Sequence, residues 1–77
     1  MIAVIAKNKT EYTEYRRANK LKDGKDCIYV YNSDAGRGFD IHEKVELPMA
    51  RYNPKYLETV MAVDARIRQY ILYKKNT

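Results

Sequence analysis

Ile2-Ala3-Val4-Ile5-Ala6 is the stretch on which the fold turns. A strand with one solvated face alternates apolar and polar side chains, but this one offers no polar side chain to either face. It reads as a central strand covered on two sides. The residues next in the chain agree with a buried strand feeding a helix. Asn8-Lys9-Thr10-Glu11 has the form of a helix start, with Asn8 as N-cap and Glu11 three residues on, placed to reach back to the free backbone N–H as in a capping box. The helix predicted from Lys9 to about Lys20 has a weak apolar stripe of Tyr12, Tyr15, Ala18 or Asn19, and Leu21. Its first turn is acidic and its last turns carry Arg16, Arg17 and Lys20, the order the helix dipole favours. Gly24 marks the turn after the helix.

The second strand spans Cys27 to Tyr31, with Cys27, Tyr29 and Tyr31 on one face and Ile28 and Val30 on the other. Asn32 to Asp40 reads as a connection with at most one helical turn. A third strand runs from Ile41 to Leu47, with Ile41, Glu43, Val45 and Leu47 on one face and His42, Lys44 and Glu46 on the other. The polar face suits an edge position or a solvated side, and Pro48 ends the strand. Tyr52-Asn53-Pro54 then opens a helix, with Asn53 as N-cap, Pro54 in the first helical position, and Tyr52 placed to staple onto Leu57. The helix should reach about Tyr73. Val60, Val63, Ile67 and Ile71 face the sheet at three- and four-residue spacing. Asp64 and Arg68 are spaced as an i,i+4 pair, and the last four residues, Lys74 to Thr77, should fray.

Two assemblies fit the order β-α-β-β-α. One is a minimal three-stranded, parallel, Rossmann-like or flavodoxin-like α/β sheet with two helices, which the doubly apolar first strand supports. Its weak point is the connection from Tyr31 to Ile41, short for a parallel crossover. The other is a ferredoxin-like α+β arrangement lacking a fourth strand, in which the second and third strands pair antiparallel.

The runs IAVIAKNKTEYTEYRR, CIYVYNSD, GRGFDIHEKVELP and YNPKY, taken in this order, resemble small bacteriophage-encoded Rossmann-like proteins of unassigned function. The resemblance covers nearly the whole chain and rests on element order with Asn8, Gly36, Arg37, Gly38, Phe39, Asp40 and Pro48. It implies a phage origin, a small accessory role and a place in the host cytoplasm, and it supplies no catalytic residues.

The 77 residues allow a single domain, residues 1–77. So small a domain buries only about 60% of the surface of its unfolded chain, so a dimer interface would matter to its stability. Apolar residues make up 45% of the chain, but eight of them are Tyr, whose hydroxyl wants a partner, and the aliphatic core is thin. One Cys and one His exclude an internal disulfide and a four-ligand zinc site. With no signal peptide and no apolar run of membrane length, a cytoplasmic protein that meets no membrane is expected. The net charge of +5 favours acidic partners.

Residues that could carry function fall into three groups. At the carboxyl ends of the strands, where parallel sheets bind ligands, Lys7, Asn8 and Lys9, with Arg37 in the Gly36-Arg37-Gly38 loop and Arg51, form a candidate anion or nucleotide site. The glycines are no dinucleotide fingerprint, because they come after the second strand and lack a third member; a turn needing positive φ is the plainer reading. Arg16, Arg17, Lys20, Lys22 and Lys25 form a candidate nucleic-acid surface, and Tyr29 and Tyr31 could stack bases if their sheet face were open. Tyr56, Met61, Tyr70 and Tyr73 on the last helix form a candidate protein interface. His42 has no partner for a triad, Cys27 reads as a small buried hydrophobe, and the Asp34 and Asp40 pair is a chance-level cation spacing. The expectation is a non-enzymatic binding module without cofactor. Its partner is another protein or a second copy, with nucleic acid as the alternative and a phosphate-binding half-domain as a third.

Overall fold

A computed structural model describes residues 1–75. The apolar segment forms β1 (Ile2–Ile5), succeeded by α1 (Lys9–Ala18), β2 (Cys27–Tyr29), β3 (Glu43–Glu46), a short 3-10 turn (Ala50–Tyr52) and α2 (Tyr56–Lys75). The sheet order is β2-β1-β3, with β1 paired in parallel to both neighbours. This is the minimal Rossmann-like α/β sheet. The ferredoxin-like alternative is excluded, because β3 pairs with β1 and not antiparallel with β2.

β1 is central because it can be: Ala3, Val4, Ile5 and Ala6 are fully buried. Its alternate residues serve two cores. On the α1 side Val4 and Ala6 pack with Tyr12, Cys27 and Leu47, with Tyr15, Leu21, Tyr29 and Val45 at the margin. On the α2 side Ala3 and Ile5 pack with Ile28, Val30, Ile41, Ala50 and Val63, with Ala35, Tyr56, Val60 and Ile67 around them. The short crossover from β2 to β3 runs on the α2 side. It is built from successive turns, with Asn32 Oδ1 accepting from the N–H groups of Asp34 and Ala35 (both 2.9 Å).

Several local expectations need correction. Ile41 does not share a face with Val45 and Leu47. It precedes the strand ladder and tucks under the crossover, so close to Gly36 that a Cβ there would stand 2.7 Å from Ile41 Cδ1. Gly36 is thus needed for close approach, and only Gly38 of the pair has positive φ (86°). Glu11 does not close a capping box on Asn8. Asn8 Oδ1 caps the N–H of Glu11 (2.9 Å), but the Glu11 carboxylate takes the N–H groups of Lys7 (2.8 Å) and Met49 (3.0 Å), tying α1 to the loop after β3. The Tyr52 and Leu57 staple is absent, both residues being exposed. Asp64 pairs with Lys44 (2.8 Å) and not with Arg68, which lets the polar face of edge strand β3 lie against α2.

Asn53 closes the 3-10 turn and leads into the last helix, which begins only at Tyr56, so Pro54 lies in the turn before it and not in the first helical position. Asn53 Oδ1 accepts from Lys55 N (2.9 Å), and its Nδ2 donates to the buried carbonyl of Ala6 (3.0 Å). α2 then outruns the sheet. Four strand residues span about 13 Å, whereas twenty helical residues span about 30 Å. Ile71 therefore finds no strand beneath it and is half exposed, and the helix reaches Lys75 rather than ending near Tyr73. Of the tail expected to fray, Lys74 and Lys75 are helical, and Asn76 and Thr77 lie outside the described residues.

α1 ends two residues before Lys20, and Lys20 itself adopts the left-handed conformation (φ 55°). The N–H of Leu21 bonds Arg16 O (2.9 Å) and that of Lys20 bonds Arg17 O (3.2 Å), the paired bonds of a Schellman cap. Glycine is free of the steric cost that Lys20 bears at this position. Lys20→Gly should stabilise the fold by about 0.5–1 kcal/mol and raise Tm by a few degrees, read by thermal unfolding. An unchanged or lower Tm would show that the turn is held in some other way.

Candidate functional site

Both helices come after a strand and return antiparallel to it, so both end at the N-terminal edge of the sheet. α1 brings Arg16 and Arg17 there, and its cap brings Lys20. The turn before β2 adds Lys22 and Lys25 and is anchored to β1 by the Ile2 N to Asp26 O bond (3.2 Å). α2 adds Arg66, Arg68, Lys74 and Lys75. These nine basic residues meet four acidic ones, Asp23, Asp26, Asp40 and Glu43, leaving an excess of five positive charges, as large as the net charge of the whole chain. At the opposite end Lys7, Lys9, Arg51 and Lys55 face Glu11, Glu46 and Glu58, a near balance.

The basic turn is held rigidly. Asp26 Oδ2 accepts from Lys22 N (2.7 Å), Gly24 N bonds Cys27 O (2.8 Å), and Gly24 takes the positive φ the turn needs (80°). Beneath it the Tyr12 hydroxyl donates to Asp23 and lies 3.6 Å from Cys27 Sγ. Tyr12 also stacks on Tyr29 (centroids 5.3 Å apart), and Tyr29 leans on Tyr31. The face carrying Tyr29 is covered by α1, so it is no open base-stacking platform. Arg16 is half buried, spans to Leu21 O (3.3 Å) and serves the α1 cap, whereas Arg17, Lys20, Lys22 and Lys25 project into solvent.

Beside this end lies a cleft of about 520 Å³ between the turn at Gly38–Ile41 and the overhanging part of α2. Its walls include Phe39, Asp40, Arg66, Gln69, Tyr70 and Tyr73. Arg66 Nη1 is pinned to Gly36 O (2.9 Å). The Tyr70 ring rests against His42 (5.7 Å), with Lys74 Nζ 5.6 Å from the ring's centre. Arg66, Gln69, Tyr70 and Tyr73 recur at helical spacing in the sequence. They are not legible there as a group, because the register of the core stripe gives no hint of where the sheet stops beneath it. Phe39, the one Phe in the chain, sits in a loop rather than a core and is the readable clue.

The other sequence-derived groups are divided by the fold. Lys7, Asn8 and Lys9 share the carboxyl end of the sheet with the loop carrying Arg51, but Glu11 already fills the backbone donors of Lys7 and Met49 there. Arg51 lies over the Tyr52 ring (5.2 Å), and Arg37 pairs with Asp34 (3.2 Å) on the crossover. Of the interface group, Tyr56 is half buried with its hydroxyl on Glu46, which raises its pKa; Met61 points outward from α2; and only Tyr70 and Tyr73 meet, in the cleft. Asp34 and Asp40 form no metal-holding group, nor do any other His, Cys, Asp and Glu side chains among the described residues. No helix among those residues is long and apolar enough to cross a membrane. No protein-family model, curated protein or solved structure matches this chain.

Burial first, then the hydrogen bonds to Asp23 and Cys27, pushes the Tyr12 hydroxyl far above its usual value near 10. An unfolded tyrosine ionises near pH 10 while Tyr12 in the fold stays neutral. The stability this group contributes is therefore fully present below about pH 10 and lost progressively above it. Tyr29, raised mainly by burial, and Lys44, raised mainly by its bond to Asp64, act in the same direction. Tyr12→Phe should thus flatten, without abolishing, the alkaline fall in urea midpoint. Parallel pH curves for the two proteins would show that Tyr12 does not hold the turn in this way.

Proposed function

We propose that this chain is a non-enzymatic binding module whose working surface is the N-terminal end of its sheet and whose partner is nucleic acid. The observation that carries this reading is the excess of five positive charges at that one end, as large as the net charge of the whole chain. Lysines at a prebuilt turn release counterions from a phosphate backbone without first ordering a loop, and such contacts give salt-dependent affinity. The side chains that would suggest catalysis have other duties: Asp34 holds Arg37, His42 accepts from the Met1 amine (2.7 Å), and Cys27 is buried under Tyr12.

A separate observation favours self-association as a second reading. Leu57, Met61 and Leu72 are 73%, 71% and 59% exposed on the outward face of α2. Leu57, Met61, Arg68 and Leu72 are four, seven and four residues apart, a spacing symmetric about the 64–65 peptide. At about 100° per residue they share one narrow stripe. An antiparallel pairing of two α2 helices sets Leu57 opposite Leu72 of a second copy and brings Glu58 within a turn of that copy's Arg68 and Lys75. This is the self-complementarity that a twofold interface requires.

Two measurements test these readings. Anisotropy of a short labelled oligonucleotide should give an affinity that falls steeply with salt. Lys22→Ala with Lys25→Ala should lower the log–log slope by about two, whereas Lys7→Ala with Lys9→Ala should leave it nearly unchanged. Binding indifferent to salt, or lost equally at both ends of the sheet, would refute the nucleic-acid reading. Light scattering should show a dimer that Met61→Lys, which sets a second cation against Arg68 of the other copy, converts to monomer, and a monomer at every concentration would refute the pairing.

A further inference from the structure

We propose that the cleft between the Gly38–Ile41 turn and α2 receives one unstacked nucleobase, so that the nucleic acid bound is single-stranded. The proposal rests on the nucleic-acid reading above and goes further in assigning a second surface with a different chemistry.

Three aromatic rings converge on the cleft from two elements, Phe39 from the turn and Tyr70 and Tyr73 from the helix. Aromatic walls accept the face of any base, and such stacking is the usual way that proteins hold single strands. The cleft lining also includes an amide, Gln69, which donates and accepts, and a carboxylate, Asp40, which accepts only. A base edge presents this mixture of donors and acceptors, and an aliphatic anchor from a protein or a lipid chain would use neither group. Arg66 is steadied by its single bond to Gly36 O, and a guanidinium has further N–H donors to offer.

The volume, about 520 Å³, falls in the range that holds one ring-bearing ligand. A base inside a duplex is stacked on both faces and cannot enter such a cleft without being extruded. The setting matches the same ligand. Lys74 and Lys75 lie just beyond the cleft on α2, and the rest of the basic end lies along the same edge of the sheet, so a strand with one base in the cleft can lay its phosphates on lysines. Phe39 is 38% and Tyr73 69% accessible, so both rings keep aromatic area that a base can meet.

The test compares a labelled single-stranded oligonucleotide with the duplex of the same sequence, using the full chain and the variants Tyr70→Leu, Tyr70→Phe and Gln69→Ala. Tight binding is expected for the single strand only, with tyrosine fluorescence quenched on binding. Tyr70→Leu should cost about tenfold in affinity with an unchanged salt slope, because stacking is not ionic, and Tyr70→Phe should retain most of the affinity. Gln69 is exposed, so Gln69→Ala checks the cleft without disturbing the core and should weaken binding severalfold. Equal affinity for duplex and single strand, with Tyr70→Leu and Gln69→Ala silent and the salt slope intact, would overturn the cleft and leave the polyanion surface standing. Absence of binding to either nucleic acid would overturn both.

Discussion

Four buried residues of β1 and its end, none with a polar side chain, must find backbone partners on both edges and apolar cover on both faces. Every other element answers to that requirement. β2 and β3 supply the edges, and α1 and α2 supply the cover, each returning antiparallel to the strand before it. The ladder alone would not fix where the helices sit. Two polar side chains do so: Glu11 takes the N–H groups of Lys7 and Met49 and joins the loops after β1 and β3, while Asn53 donates to the carbonyl of Ala6, just past the ladder, and holds the turn that leads into α2. Both act at the carboxyl end of the sheet. That end is therefore knitted together by internal carboxylate and amide groups, at the place where larger sheets of this type seat a bound ligand.

The sheet and its helices were legible in the sequence wherever one residue type has one physical reason to be where it is. An apolar run of strand length means a central strand. Asn8 before a helical period means a cap, and Asn53 a turn into a helix. What failed were inferences about which partner a side chain chooses when several are in reach. Glu11 could reach Asn8 N or Lys7 N; Asp64 could reach Arg68 or Lys44. In each case the chosen partner comes from a segment brought near by the fold or from just outside the expected motif. Spacing along the chain cannot rank these alternatives. Ile41 failed for a related reason, since period-two alternation holds only inside the ladder and that residue lies just before it.

The site was half legible. Arg17, Lys20, Lys22 and Lys25 are close enough in sequence to be seen as a basic group, and the structure keeps them together. The cleft was not visible, because it depends on a mismatch of lengths. Short strands and a long final helix leave the last turns of α2 hanging past the sheet, where residues at core spacing no longer have a core to meet. Tyr70 and Tyr73 therefore line the cleft, Tyr70 while leaning on His42, and Phe39, displaced onto the crossover turn, lines it with them.

The plainest account of cations at this end of the sheet is that helix C-termini favour them, and two helices end here. Magnitudes decide how far that account goes. Each helix end carries a partial charge of about −0.5, so the two together offset about one of the five excess positive charges. The dipoles do not demand the remainder. Lys22 and Lys25 lie in a turn beyond α1, outside the last turn where such an interaction operates, and they are set by hydrogen bonds that orient the turn whatever their charge. A positive field maintained at a rigid edge beside an aromatic cleft exceeds what folding asks of these residues, and that surplus is the physical ground for assigning them a partner.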